Sequence, residues 1–144
     1  MSITPNAEQF TAYAESEHEG EVHMLNLLRY KRSGSTDGGS GGDGTGEDEY
    51  ARYGREAVRM VEERGGRVVW MGRPIGVFIG DVDANAWDAV ALVAYPSRQA
   101  FLDMVSTKEY GKAHTHREAG LADTVLIACA PAPDFLTIEP AAAD

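Results

Sequence analysis

The sequence predicts an α+β fold: an antiparallel four-stranded sheet with helices on one face and a second copy of the same sheet on the other. Three observations predict it. Val22–Tyr30, Arg67–Gly80, Trp87–Tyr95 and Thr124–Ala130 read as strands that are largely apolar on both faces. Only two convincing core helices separate them, and the second is broken in two. Two helices cover one face of such a sheet, so the other apolar face needs a further layer. The simplest further layer is an identical sheet, which makes a homodimer packed sheet to sheet the expected assembly.

Each element has its own signal. Thr4-Pro5 is expected to open a short N-terminal helix, with Thr4 as N-cap and Ala7, Phe10, Tyr13 and Ala14 as its apolar stripe. Residues 1–20 form an arm before the main domain. In the first strand Val22, Met24, Asn26, Leu28 and Tyr30 share one face, and His23, Leu25, Leu27 and Arg29 the other. Ser33–Gly46 is a flexible glycine-rich loop. Within it GSGGDG fits G-x-G-x-x-G, but it starts well after the strand and acids flank it, unlike a dinucleotide turn. Asp48–Arg64 is the clearest helix: acids crowd its first turn and Gly65-Gly66 ends it. The next strand, Arg67–Gly80, is expected to bend around Gly72–Pro74, where proline removes a ladder donor. After Trp87–Tyr95, Ser97 caps a helix. Ser106-Thr107-Lys108-Glu109 reads as a capping box that starts another. Gly120 stops that helix before the last strand. Residues 131–144 form a Pro- and Ala-rich tail in which Phe135, Leu136 and Ile138 add an edge strand or clasp a partner subunit. The order β-α-β-β-α-β over residues 21–130 is the ferredoxin-like plan.

Composition bounds the function. The chain has 144 residues, one domain's worth, and a formal net charge of −10. Phosphate binding needs clustered Lys and Arg, so nucleic-acid and anionic-membrane partners are not expected. The single cysteine, Cys129, allows no disulfide within the chain and no two-Cys metal motif; it reads as a buried, inert thiol. No segment approaches the length of a membrane span, and the first residues lack a basic and then apolar leader pattern. A soluble, cytoplasmic protein without cofactor or metal is the expectation.

The strings MLNLLRYK, RGGRVVWMG and WDAVALVAYPS, with Tyr53, then KEY and Arg117, together resemble the domain-of-unknown-function family DUF1330. The resemblance runs over roughly Val22–Ala130, apart from the glycine-rich loop. It implies a ferredoxin-like subunit that forms a dimeric α+β barrel, and a polar strand residue such as Asn26 near a pocket. It implies no activity.

Several side chains carry possible chemistry. Arg29 and Arg117 offer planar forks for a carboxylate, or else form structural pairs with Asp88 or Glu118. His114 shares a helix face with Tyr110 and Arg117, a cluster able to move a proton near neutral pH. Tyr53, Trp70 and Trp87 offer flat apolar walls or plain core packing. Asp88 is a base if desolvated and otherwise a turn-edge acid. His116 is expected on the surface. These residues give a candidate catalytic set of His114, Tyr53 and Asp88. The candidate substrate-binding set is Asn26, Arg29, Trp70, Trp87, Tyr110 and Arg117.

Three functions remain open on the sequence: a cofactor-independent isomerase, lyase or monooxygenase-like enzyme, a binding module, and a purely structural dimer. The expected ligand is a small anionic or aromatic molecule. His114 or Asp88 beside cavity space favours the enzyme, a cavity lined by aromatics and aliphatics favours binding, and a closed core favours the structural dimer.

Overall fold

The computed structural model of the chain describes residues 3–32 and 45–132. Its elements are α1 (Ala7–Ala14), β1 (Val22–Tyr30), α2 (Gly46–Glu63), β2 (Arg67–Gly72), β3 (Ala89–Tyr95), α3 (Arg98–Val105), α4 (Lys108–Gly120) and β4 (Leu121–Cys129). The strands form one sheet in the order β2-β3-β1-β4, and each neighbouring pair is antiparallel. This is the expected α+β, ferredoxin-like plan.

The helices pack on one face. Val22 and Met24 of β1 and Tyr95 of β3 join Met60 and Val61 of α2, Met104 of α3 and Ala113 of α4 in one core cluster. A second cluster, Leu28, Tyr30, Ala89 and Leu121, fills the other end. The opposite face carries Leu25, Leu27, Val90 and Leu92, with Trp70, Val125 and Ile127 exposed at 56%, 38% and 44%. Among the described residues no helix covers it, as the two-faced strand pattern implies.

Local signals place most element ends. Thr45 caps α2 and closes a capping box with Asp48, so the helix starts inside the segment read as loop. Gly65, at φ +84°, supplies the left-handed residue after α2. Asn6, not Thr4, caps α1: its side chain accepts from the Gln9 N–H and Gln9 answers, a better cap than the Thr-Pro pair offers. Likewise Thr107, not Ser106, caps α4. Arg98 fixes the arm by donating to the carbonyls of Tyr13, Ala14 and His18.

The largest departure is β2. The expected strand to Gly80 ends at Gly72, and residues 73–82 run on without sheet pairing. Pro74 removes a ladder donor, as expected, but pairing does not resume beyond it. Within that stretch Ile75, Phe78 and Ile79 are 103%, 98% and 86% exposed. Cys129 is only partly buried, because β4 is an edge strand and its residue lies on the bare face. The tail expectation for Phe135, Leu136 and Ile138 lies outside the described residues.

Candidate functional site

A cavity of about 300 Å³ lies between the helix layer and the sheet. Met24 and Asn26 of β1 and Ala91 and Val93 of β3 form its floor, with Val68 and Met71 at one sheet edge and Leu126 at the other. Tyr50, Tyr53, Ala57, Val58 and Val61 hang over it from α2. Tyr95, Phe101, Tyr110 and Arg117 complete the wall. Its lining reaches solvent at the sheet edges, where Val68, Met71 and Leu126 are 39%, 53% and 41% exposed.

Helix geometry places the roof. Tyr50, Tyr53, Ala57 and Val61 recur at spacings of three and four on one side of α2. Tyr110 and Arg117 sit two turns apart on α4, which packs against α2. The Tyr53 and Tyr110 hydroxyls meet at 2.9 Å, and their rings cross edge to face. The Arg117 guanidinium lies 6.0 Å from the Tyr53 ring centre. Burial pushes the Tyr53 phenol well above its ordinary pKa, and it raises Tyr50 and Tyr95 as well. These phenols therefore stay neutral and keep their O–H protons. Asn26 donates from its amide nitrogen to the carbonyls of Met24 and Ala91, at 3.2 and 3.3 Å, which leaves its Oδ1 as the free acceptor.

The candidate residues thus divide. Asn26, Tyr53, Tyr110 and Arg117 converge on the cavity. Arg29 does not: it is on the bare face, stacked on Trp87 at 4.9 Å, donating to the Ala86 carbonyl and 3.8 Å from Asp123. It therefore cannot share a carboxylate with Arg117 within one subunit. Trp70 is also on the bare face, because a bulge between Val68 and Trp70 shifts the register by one residue and brings Met71 to the cavity instead. Asp88 accepts from the Tyr30 N–H at 2.8 Å and so fixes the end of β1.

His114 stands behind Tyr110, ring centres 5.9 Å apart, and is not part of the cavity lining. Its Nε2 lies 3.7 Å from Glu118, and its buried Nδ1 has no hydrogen-bond partner among the described residues. Burial, reinforced by Arg117 and opposed by Glu118, lowers its pKa from the ordinary 6.5. The unfolded chain then binds the proton more readily than the folded one. Stability is therefore expected to fall as pH drops through 6.5 and to level off below the folded value. Thermal melts of His114→Gln should show a shallower decline between pH 7 and 5 than the wild type; parallel curves would show that His114 carries none of it.

The sequence reading missed Glu49. It is 1% exposed, and its carboxylate is held by Arg52 at 2.9 Å and by His116 Nδ1 at 3.1 Å. His116, expected on the surface, thus ties α4 to α2. Nothing in the sequence marks this pair, since an acid in a first helical turn also suits the helix dipole.

A second, shallower hollow of about 220 Å³ is lined by Tyr30, Lys31, Arg32, Thr45, Glu47, Arg73 and Asp88. Its charges largely satisfy each other: Arg73 pairs with Glu47, and Arg32 lies 3.8 Å from Asp88. The aromatic cavity is therefore the candidate site. Among the described residues no group of three or more His, Cys, Asp or Glu side chains is placed to hold a metal ion, and no helix is long and apolar enough to cross a membrane.

Comparison with known proteins supports the same fold. A protein of unknown function from Rhodopseudomonas palustris, RPA0582, is 36% identical, with a TM-score of 0.82 over 90% of this chain and 96% of that one. Its methylated form gives 0.83 at the same identity, over 91% and 95%. A dabb family protein with a ferredoxin-like fold from Mesorhizobium loti is 11% identical, with a TM-score of 0.51 over 78% of this chain and 98% of that one, a likeness of fold alone. No curated protein is similar at a comparable level of significance. The DUF1330 family model, a domain of unknown function, matches residues 43–130, most of the chain. The chain belongs to the DUF1330 family.

Proposed function

We propose that the chain is a homodimer whose subunit cavity binds a small molecule with a flat, apolar body, without doing chemistry on it. The composition of the cavity lining carries this reading. Proton-transfer catalysis needs a group whose pKa lies near the working pH. Among the described residues the lining holds no His, Asp, Glu, Lys or Cys. Its phenols Tyr50, Tyr53 and Tyr95 are pushed away from neutrality, and His114 and Asp88 lie outside it. What remains is an aromatic and aliphatic container with a few fixed polar groups, the usual make-up of a binding site. An apolar cavity of about 150 Å³ holds benzene. Twice that space suits a two-ring body.

The dimer reading rests on the bare sheet face and on residues 73–82. Phe78 alone presents roughly 150–250 Å². Trp70, Ile75, Ile79 and Ile127 are also largely exposed, and large exposed apolar side chains in number favour a partner surface. The same feature suits a second copy, because two such faces are self-complementary about a two-fold axis.

Calorimetric titration of the wild type with 2-naphthoate and with 2-naphthamide tests the cavity. At least one is expected to bind, and Ala57→Trp, which fills the cavity from α2, is expected to abolish that binding. Failure of both probes to bind, or binding unaffected by the filling residue, would overturn the reading.

A further inference from the structure

We infer that the ligand is a monocarboxylate, its anionic end held by Arg117 and its apolar body lying along the cavity. The inference rests on the binding reading above and adds the ligand's charge and chemical class. Arg117 is 7% exposed and forms part of the cavity wall. Among the described residues no carboxylate lies within ion-pair distance of it. Glu118 is beside His114, and Glu49 is taken up by Arg52 and His116. The guanidinium instead donates to the Ile3 carbonyl oxygen at 2.6 Å and faces the Tyr53 ring. Neither contact neutralises it. A buried cation without a counter-charge costs several kcal/mol, and an anionic group entering the cavity relieves that cost.

The count of charges sets the ligand's charge. Among the described residues no second Arg, Lys or His lines the cavity, so one negative charge balances it and a phosphate dianion would leave one uncompensated. Geometry favours carboxylate, whose two coplanar oxygens match the guanidinium fork. A further donor is available nearby. The Tyr53–Tyr110 bond uses one of the two hydroxyl protons and leaves the other for a third acceptor. Because Tyr53 is held neutral by burial, the pair meets an anion as donors and not as a competing charge. Tyr50, Val58, Phe101 and Met71 supply the apolar contacts for the rest of the ligand.

The test compares the affinities of 2-naphthoate and 2-naphthamide for the wild-type protein at pH 7. The acid is expected to bind at least tenfold more tightly than the amide. Equal affinities would overturn the carboxylate inference and leave the cavity reading standing; no binding of either probe would overturn both. Arg117→Gln should bring the acid down to the affinity of the amide, and Arg117→Lys should keep part of the preference. A folded Arg117→Gln protein that still favours the acid would contradict the role of Arg117. The wild-type ratio decides the inference even where that variant fails to fold.

Discussion

Ile127→Glu is expected to turn the proposed dimer into a folded monomer. Ile127 is 44% exposed on β4, on the sheet face opposite α2 and α4, so the subunit itself has room for a longer polar side chain. Between two packed sheets the same side chain becomes a buried, unpaired carboxylate, which costs several kcal/mol per copy. About 3 kcal/mol is roughly a hundredfold in dissociation constant. A two-fold interface counts the substitution twice. Phe78→Asp, on the stretch after β2, should weaken association in the same direction. Sedimentation velocity at micromolar concentration, with circular dichroism to confirm the fold, reads both variants. A dimer of undiminished affinity in both would show that neither surface is the interface.

Gly120→Ala is expected to be strongly destabilising although it adds a single methyl group. A methyl group there would lie 2.5 Å from the Gly46 carbonyl oxygen and 2.9 Å from the Tyr50 nitrogen. Both neighbours are backbone, so no side chain can swing aside. Lys31 bonds to Gly120 at 2.8 Å and accepts from Gly46 at 3.2 Å, which locks the crossing of α2 and α4 against β1. Overpacking costs about 1–3 kcal/mol where neighbours adjust. With backbone on both sides the upper end applies, a fall in Tm on the order of 10 °C for a chain of this size. The same crossing sets Tyr50 and Tyr53 against Tyr110 and Arg117, so probe affinity should fall with stability. Gly111→Ala, with open space around it, is the control and should melt close to the wild type. Equal melting of the two variants would refute the close-approach account.

Much of this was legible because alternation along a strand is a strong constraint. Val22, Met24 and Leu28 against Leu25 and Leu27 already define two apolar faces, and two helices can cover only one. The same parity puts Asn26 and Arg29 on opposite faces, so only Arg117 of the two arginines was compatible with a site around Asn26. What alternation cannot supply is a register shift. The bulge after Val68 reverses the faces of Trp70 and Met71, and no residue type in RVVWMG announces it. Nor does sequence reveal where pairing stops: VFIG has strand composition, but after Pro74 it has no neighbouring strand among the described residues. Glu49 and His116 were opaque for a different reason. Their contact spans 67 positions and depends on how α4 crosses α2, a crossing set by two glycines whose role is visible only in three dimensions.

Dimer and site are tested together by sedimentation equilibrium of the wild type at micromolar concentration with 2-naphthoate, followed at a wavelength where only the probe absorbs. The prediction is a species of twice the 15.5 kDa chain mass that carries the chromophore, one probe per subunit. A single-chain species sedimenting free of the chromophore would contradict both the dimer and the site.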